Sequence, residues 1–244
     1  MRSTIPLSSP RFTLDLDDGI ARLTLDYPQR ANALDRATME AMAGALDNLA
    51  GQAGLRGLVL TGAGDRVFCG GADLAELAGH TASRAAAYDY DAFWDAVTDR
   101  LARLPCLTVA RLNGACVGGG ISLAVACDLR LAAEHAFFEY PTLRNGVIPS
   151  PADTARLVRL VGPARAKYLW LGGGRLTSRE ALAWGLVERV VPLAELGTWV
   201  AAVLAGAQAA DPRLASATKR MVDGGYADAE EVDRLYRLVY GGEE

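Results

Sequence analysis

Alternating apolar and polar positions near the beginning of the chain predict a β-hairpin. Residues 12–16 alternate, residues 17–19 carry a turn signal, and residues 20–25 alternate again. Farther along, Asp35 precedes a run with apolar residues at helical spacing that continues to about Ala50. The pattern therefore predicts two antiparallel strands followed by a capped helix.

Short apolar segments then recur, each followed by a turn. The segments at residues 58–61, 107–112 and 129–132 have the length of buried strands, and the first two lead through glycines into helical patterns. From Pro151 onward the pattern is almost wholly helical. Periodicity alone therefore predicts a mixed α/β chain with a helical end.

A glycine triplet, Gly118, Gly119 and Gly120, opens a strongly apolar helical segment. Amides in the first turn of a helix have no intrahelical acceptor, and glycine leaves them unshielded, so they can hold an oxygen that becomes negative. Two glycines before Ala72 also precede a predicted helix. Amides of Ala72 and Gly119 that face one oxygen would form an oxyanion hole, in which each donor is worth roughly 3 kcal/mol. The alternative is that glycine only permits close packing.

The composition narrows the class of protein. The chain has 244 residues, 51% hydrophobic content and a net charge of −4 with scattered Lys and Arg, which predicts one catalytic domain and argues against a nucleic-acid partner. Four cysteines in apolar surroundings and only two histidines indicate neither disulfides nor a metal site. Because no signal-peptide core or membrane-spanning run occurs, we expect a cytoplasmic protein with no membrane partner.

Taken in order, the motifs resemble those of the enoyl-CoA hydratase/isomerase, or crotonase, family. The matched segments are residues 30–34, 68–74, 113–128, 141, 146–149, 156–162, 171–176 and 181–191. The resemblance implies an α/β fold, a crotonase-like spiral of β-β-α units followed by a helical C-terminal region. We therefore expect a disordered leader at residues 1–10, a crotonase-like core at residues 11–192 and a C-terminal helical oligomerisation region at residues 193–244.

The resemblance also implies an acyl-CoA thioester as substrate, so that coenzyme A is part of the substrate and neither a separate cofactor nor a metal is expected. Family members hold the thioester carbonyl with two backbone amides, which match Ala72 and Gly119 here. Most form trimers or pairs of trimers, which implies a homotrimer or hexamer. The positions that match the family's substrate contacts are Arg30, Ala31, Ala33, Ala72, Asp73, Leu74, Gly119 and Lys219.

The acid–base positions depart from the hydratases of this family. Two glutamates move protons in those enzymes, and the matching positions here are Ser122 and Thr142. A third position, which is Asp or Tyr in other branches, is Ser150. A hydroxyl with an ordinary pKa cannot supply the base step, and each lost group costs about 10²–10⁴-fold in rate. The resemblance therefore implies an enzyme that stabilises a thioester enolate but is not a true hydratase.

Three acidic residues remain near the expected pocket. Glu139 lies between aromatic residues that would raise its pKa if it pointed inward, and a surface position is the alternative. Asp73 and Asp153 each begin a predicted helix, where capping or the helix dipole explains an acid without catalysis. The candidate catalytic residues are therefore Ala72, Gly119, Ser122, Glu139, Thr142 and Ser150.

These residues suit an isomerase, a decarboxylase or a carbon–carbon lyase, all of which pass through an enolate. One alternative is a serine hydrolase or acyl-CoA thioesterase, because residues 120–124 nearly match Gly-x-Ser-x-Gly and His135 follows them. Another is a catalytically silent subunit that binds CoA thioesters. The sequence leaves open the acyl group, the identity of the acid and base, the choice between trimer and hexamer, and the effect on CoA binding of a C-terminus shorter than usual in the family.

Overall fold

The protein is described by a computed structural model that covers residues 3–4, 11–80, 83–141, 143–224 and 229–241. The strands are β1 (Ser3–Thr4), β2 (Phe12–Asp17), β3 (Ile20–Leu25), β4 (Gly57–Gly62), β5 (Val67–Cys69), β6 (Leu107–Leu112), β7 (Ala115–Val117), β8 (Leu129–Ala133), β9 (Phe137–Glu139), β10 (Arg175–Thr177) and β11 (Arg189–Val191). The helices are α1 (Arg36–Ala50), α2 (Leu74–His80), α3 (Arg84–Ala102), α4 (Gly119–Ala126), α5 (Pro151–Val161), α6 (Pro163–Trp170), α7 (Ser178–Trp184), α8 (Leu193–Ala209), α9 (Pro212–Gly224) and α10 (Ala229–Tyr240).

Two sheets divide the strands between them. The larger sheet has the order β1-β2-β3-β4-β6-β8-β11 and is parallel from β3 to β11. The smaller has the order β10-β9-β7-β5, with β5, β7 and β9 parallel. Successive units place one strand in the large sheet, the next in the small sheet and then a helix: β4-β5-α2, β6-β7-α4 and β8-β9-α5. This spiral of β-β-α units confirms the predicted fold class.

Several local predictions are confirmed by the structure. The alternating segments form the β2–β3 hairpin, and β6 occupies the predicted segment. The side chain of Asp35 caps α1 by accepting a hydrogen bond from the backbone nitrogen of Thr38 at 2.8 Å. Each of these features depends on residues close together in the chain, which is why the pattern reveals them.

The structure adds short strands to two segments for which the sequence predicted none. Ser3 and Thr4, inside the expected disordered leader, pair antiparallel with Leu16 and Asp15 of β2. The region after Pro151 is not wholly helical, because β10 extends the small sheet and β11 the large one. Strands β10 and β11 have three residues each, and a strand of that length is too short to show an alternating pattern.

The large sheet packs apolar side chains on both of its faces. Leu58 and Leu60 of β4 belong to the main core, to which α1, α3 and α4 contribute. Val59 faces the opposite way and packs with Leu196 and Val200 of α8. Helix α8 therefore packs against the large sheet, and the expected division of the chain at residue 192 stays a prediction. Among the described residues no single helix is long and apolar enough to cross a membrane, and α8 with α9 meets that test only as a pair bent by 111°.

Asn32 joins the segment that carries Ala72 to the core. Its side-chain amide nitrogen donates to the carbonyl oxygens of Ala63 and Val67 at 3.2 and 2.9 Å, and its Oδ1 accepts from the backbone nitrogen of Tyr27 at 3.0 Å. Its φ of +53° is a left-handed conformation that Asn adopts more readily than most residues. Two residues later the chain forms a parallel bridge with Ala72. These buried hydrogen bonds therefore fix the backbone beside Ala72.

Replacing Asn32 by Ala is expected to lower the free energy of unfolding by about 3 kcal/mol. The change leaves several buried backbone groups without partners, and each unsatisfied group costs about 1–3 kcal/mol. Urea unfolding measures the difference. Asn48, exposed on α1, is the matched control, and Asn48→Ala should change stability by less than about 0.5 kcal/mol. Equal effects of the two substitutions would contradict the role assigned to Asn32.

Candidate active site

A cavity lies where the end of the small sheet meets α3, α4 and α5. Four of the candidate catalytic residues line it, namely Ala72, Gly119, Ser122 and Ser150. Glu139 does not belong to its lining, and Thr142 lies outside the described residues. The fold therefore brings together positions that are up to 78 residues apart in sequence, since Ser150 and Ala72 differ by that number.

Two glycine-led turns press against each other at this cavity. Gly71 has a φ of +88°, and a Cβ atom added to it would lie only 2.9 Å from the backbone nitrogen of Gly119. Gly118, with a φ of +53°, precedes α4, so the Gly119 amide is in the first turn of that helix. The amides of Ala72 and Gly119 donate no hydrogen bond to another described backbone group. Both are therefore available to an oxygen in the cavity.

Trp94 of α3 closes one side of this arrangement. Trp94 is 6% exposed, and its ring lies so close to Gly119 that an added Cβ would be 2.3 Å from the Cη2 atom. The ring also packs edge-on against Tyr90, with centroids 6.4 Å apart. Glycine at position 119 is thus required by sterics as well as by amide exposure. The role of Trp94 could not be predicted from the sequence, because Trp94 lies 25 residues before Gly119 on another helix.

The hydroxyl of Ser122 forms a buried hydrogen-bonded pair with the hydroxyl of Tyr140. Its Oγ lies 3.2 Å from the Oη of Tyr140, and both residues line the cavity. Tyr140 is 2% exposed and directly follows β9. Burial raises the pKa of Tyr140 well above its ordinary value, and the nearby Asp153 carboxyl adds to this effect. Tyr140 is therefore an un-ionised phenol at neutral pH.

Asp153 is the buried carboxyl at the cavity. Its side chain is 8% exposed, and Oδ1 has no hydrogen-bond partner among the described residues. The nearest cation is Arg156, with Nη1 at 3.6 Å, too long for a hydrogen bond. Burial raises the pKa of Asp153 to about 6, against the opposing influence of the Ser122 hydroxyl and the Arg156 guanidinium. A carboxyl with this pKa at a cavity is suited to proton transfer near neutral pH.

Asp153 lies in the first turn of α5, as the sequence predicted, yet it is buried rather than exposed to solvent. The cap of α5 is Ser150, whose Oγ accepts from the backbone nitrogen of Asp153 at 3.2 Å. Asp153, Leu157 and Val161 are the buried residues of the helix. Their spacing of four residues is a signal in the sequence, because it places Asp153 on the apolar stripe rather than the solvent face.

Ser150 connects the beginning of α5, where Asp153 lies, to α3. The Ser150 hydroxyl donates to Oδ1 of Asp95 at 2.7 Å, so the helix cap and this hydrogen bond use its bonding capacity.

A second carboxyl, that of Asp91, lines the same cavity, and its pKa is raised by burial and by Asp95. No Lys, Arg or His is among the residues that line the cavity in the described part of the chain. The cavity therefore has an acidic wall without a compensating cation on its surface.

The proposed role of Glu139 as a carboxyl with a raised pKa is wrong. Burial acts to raise the pKa of Glu139, but hydrogen bonds from Arg175 and Arg144 outweigh it and leave the pKa below its ordinary value. The Nη2 atom of Arg175 lies 2.9 Å from Oε2, and Arg144 holds Oε1. Glu139 is therefore a bridge between two exposed arginines at the edge of the small sheet.

The residues that were expected to contact coenzyme A lie in different surroundings. Leu74 lines the cavity and is 67% exposed, while the carbonyl oxygen of Ala31 accepts a hydrogen bond from Gly70 beside it. Arg30 is exposed at the end of a 3-10 turn, and Ala33 lies partly buried next to that turn. These residues border the strip that leads to Ala72.

Asp73 and Lys219 are occupied by partners of their own. Asp73 accepts from the backbone nitrogen of Ala75 at 3.0 Å, the helix-capping role considered for it, and pairs with Arg11. Lys219, expected near a CoA phosphate, forms an ion pair with Asp128 at 2.8 Å and is 11% exposed. Lys219 therefore takes part in a largely buried ion pair that attaches α9 to the core, and its expected contact with a CoA phosphate stays a prediction.

The serine-hydrolase arrangement is not assembled in the structure. Nε2 of His135 lies 2.7 Å from the carbonyl oxygen of Asp65 and 3.1 Å from that of Asn113, and His135 does not line the cavity. The described partner of the Ser122 hydroxyl is Tyr140. Ser122 therefore lacks the histidine that a serine nucleophile requires.

The fold and cavity define a class of protein, an α/β protein whose cavity is lined by two residues, Ala72 and Gly119, with backbone amides that have no backbone acceptor among the described residues. The sequence model of the enoyl-CoA hydratase/isomerase family matches residues 15–235. A probable enoyl-CoA hydratase of Mycobacterium tuberculosis, echA8, is 35% identical over 185 residues, which are 76% of this chain and 70% of that protein. The chain therefore belongs to the enoyl-CoA hydratase/isomerase family and is an acyl-CoA-processing enzyme.

Other relatives extend the comparison. Carnitinyl-CoA dehydratase of Salmonella arizonae is 37% identical over 177 residues, which are 72% of this chain and 66% of that protein. The crystal structure of the enoyl-CoA hydratase from Bacillus anthracis matches with a TM-score of 0.87 and 30% identity, over 96% of this chain and 92% of that chain. The architecture is thus shared almost throughout.

A methyl group at position 119 is expected to destabilise the protein by about 1–3 kcal/mol, because it collides with the Trp94 ring. Urea unfolding of Gly119→Ala, Trp94→Leu and the double variant should give a coupling energy of at least about 1 kcal/mol, since the smaller leucine removes the collision. Gly44→Ala is the control, because nothing lies within 4 Å of a Cβ at that exposed helical site. Additive effects of the two substitutions would contradict the contact.

Asp153→Asn is expected to stabilise the protein at high pH. The pKa of this carboxyl is raised from 3.8 to about 6, so its folded form binds a proton more tightly than the unfolded chain does. Its contribution to stability is therefore present at low pH and lost as pH rises from about 4 to about 6, by up to about 3 kcal/mol. The variant should exceed the native protein in unfolding free energy at pH 8, and the gain should vanish near pH 4. Glu40→Gln, on the exposed face of α1, should show no such trend.

Proposed function

We propose that this acyl-CoA enzyme is a double-bond isomerase in which the amides of Ala72 and Gly119 stabilise the enolate oxygen and Asp153 moves the proton. The observation that carries the proposal is a single buried carboxyl at the cavity, with a pKa of about 6, in a chain that has Ser122 at a position where hydratases have glutamate. At pH 7 most of this carboxyl is ionised and can act as a base.

One carboxylate is sufficient for this reaction. Ionised Asp153 removes a proton from the α-carbon of a 3-enoyl thioester, and the electron pair spreads to the thioester oxygen beside the two amides. The same carboxyl then returns the proton to the γ-carbon, which gives the conjugated 2-enoyl thioester. The base is regenerated without water, so turnover does not need the second carboxyl that a hydratase uses.

The charges at the cavity favour this reaction over decarboxylation. A substrate that loses CO₂ must bring a carboxylate close to the thioester, where it would meet Asp91 and Asp153. Like charges in a partly buried site repel, and no cation among the described lining residues compensates them. An acyl group without a carboxylate is therefore the better fit.

Asp91 supports a second candidate, the addition or elimination of water. Two carboxyls, Asp153 and Asp91, line the cavity, and the pKa of each is raised. They would replace the two glutamates of a hydratase from different positions in the chain. The relatives named as a hydratase and a dehydratase make this reaction a natural competitor.

A panel of 3-enoyl-, 2-enoyl-, malonyl-type and 3-ketoacyl-CoA thioesters, followed by mass spectrometry and ultraviolet absorbance, separates these functions. We expect a 3-enoyl thioester to become conjugated without a change in mass, with kcat/KM rising with pH around a midpoint of about 6 because the base must be ionised. Asp153→Asn should lower kcat by at least about 100-fold, and Glu40→Gln should leave it unchanged.

Three other outcomes would contradict the isomerase. Gain or loss of one water at comparable speed, abolished by Asp91→Asn, would favour the second candidate. Loss of CO₂ from the malonyl-type thioester would favour a decarboxylase. Tight binding without turnover of any thioester would indicate a subunit that only binds CoA thioesters.

A further inference from the structure

We propose that Tyr140 is a positioning residue, which orients the Ser122 hydroxyl toward Asp153 and so holds this carboxyl in its ionised form. The inference deepens the proposed function, because Asp153 is the base on which that function rests. Tyr140 acts on Asp153 through the side chain of Ser122, and the sequence did not identify Tyr140 as a site residue.

The place of Tyr140 follows from the small sheet. Strand β9 pairs with β7 and ends at Glu139, so the next residue leaves the sheet beside the first turns of α4. The ring of Tyr140 packs against Trp170 with centroids 5.5 Å apart, and the residue is 2% exposed. Its hydroxyl is thereby fixed, and Ser122 at 3.2 Å is its described hydrogen-bond partner.

Hydrogen counting gives the pair a direction. Each hydroxyl has one hydrogen to donate. Tyr140 remains a protonated phenol because burial keeps its pKa well above the ordinary value. If Tyr140 donates to Ser122, the Ser122 hydrogen is left for the Asp153 carboxyl, whose pKa the neighbouring Ser122 hydroxyl lowers. If Ser122 donated to Tyr140 instead, the phenol hydrogen would be buried without an acceptor among the described residues, at a cost of about 1–3 kcal/mol.

The direction of the hydrogen bonds that join Tyr140, Ser122 and Asp153 depends on the charge of Asp153. Ionised Asp153 only accepts hydrogen bonds, so the order Tyr140 to Ser122 to Asp153 uses every hydrogen. Protonated Asp153 brings a further hydrogen and leaves one of the three without an acceptor. Tyr140 therefore favours the ionised form, although it does not touch the carboxyl by any hydrogen bond of its own.

Other charges around Asp153 act on the same equilibrium. Arg156 on α5 favours the ionised form, while Asp91 and Asp95 on α3 oppose it. Cys116 of β7 lies near Tyr140, and its buried thiol is neutral because burial raises its pKa well above the ordinary value. None of these groups is altered by removal of the phenol oxygen, so a change caused by Tyr140→Phe reports on the hydroxyl pair.

Tyr140→Phe tests the inference through the titration of Asp153. Nuclear magnetic resonance of protein labelled with ¹³C at aspartate Cγ follows the carboxyl directly, and the Asp153→Asn spectrum assigns its signal. We expect the midpoint to rise from about pH 6 to nearly pH 7, since one hydrogen bond is worth about 0.5–1.5 kcal/mol. The acid limb of kcat/KM for a 3-enoyl thioester should move by the same amount. Tyr168→Phe, 52% exposed on α6, should move neither.

Ser122→Ala provides a second variant, and it should raise the midpoint at least as far, because it removes the bridging hydroxyl. An unchanged or lowered midpoint in either folded variant would overturn the inference. The resonance titration needs no turnover, so it is independent of the reaction. A shifted titration together with activity that does not depend on Asp153 would refute the isomerase and leave the positioning role intact.

Discussion

The rest of the site depends on the close approach of two backbone turns, one at Gly70–Gly71 and one at the beginning of α4. Any side chain at Gly71 would collide with the backbone of Val117 and Gly119, so the two turns can meet only through glycine. Trp94 then presses on the same point from α3. This contact brings the amides of Ala72 and Gly119 to one cavity, and the rest of the chemistry is arranged around them. A rigid frame of this kind costs little reorganisation when an oxygen becomes negative.

The carboxyl near this frame has a stability cost that function can explain. Asp153 is buried on the apolar stripe of α5 with Arg156 too far for a hydrogen bond, and its raised pKa records that cost. The side chain of Ser122 lies next to Asp153, and it is shorter than the glutamate at the matching position of the family's hydratases. The titratable side chain at this cavity thus comes from α5 rather than α4, while the fold around it is shared with the enoyl-CoA hydratase of Bacillus anthracis at a TM-score of 0.87. Proteins often retain such unfavourable groups where catalysis needs them.

Glu139 and Asp153 illustrate how far local reasoning extends. Aromatic neighbours in the sequence suggested a raised pKa for Glu139, yet Arg175, on a strand 36 residues later, outweighs them. Asp153 looked like an ordinary first-turn acid, yet Ser150 caps the helix and Asp153 faces the core. Lys219 likewise meets Asp128, a partner 91 residues away in the chain. In each case the deciding neighbour comes from another element.

By itself, the sequence determined the hairpin, the cap at Asp35, the strand at residues 107–112 and the two glycine-led helix starts, because these features depend on residues within one or two turns of each other. Their order also determined the family. The tertiary structure alone decided which carboxyl enters the cavity, that Tyr140 pairs with Ser122, and that Trp94 closes the site. The physical reason is that burial, pKa and hydrogen-bond direction depend on the atoms packed around a group, and here α3, α4, α5 and the small sheet supply those atoms from distant parts of the chain.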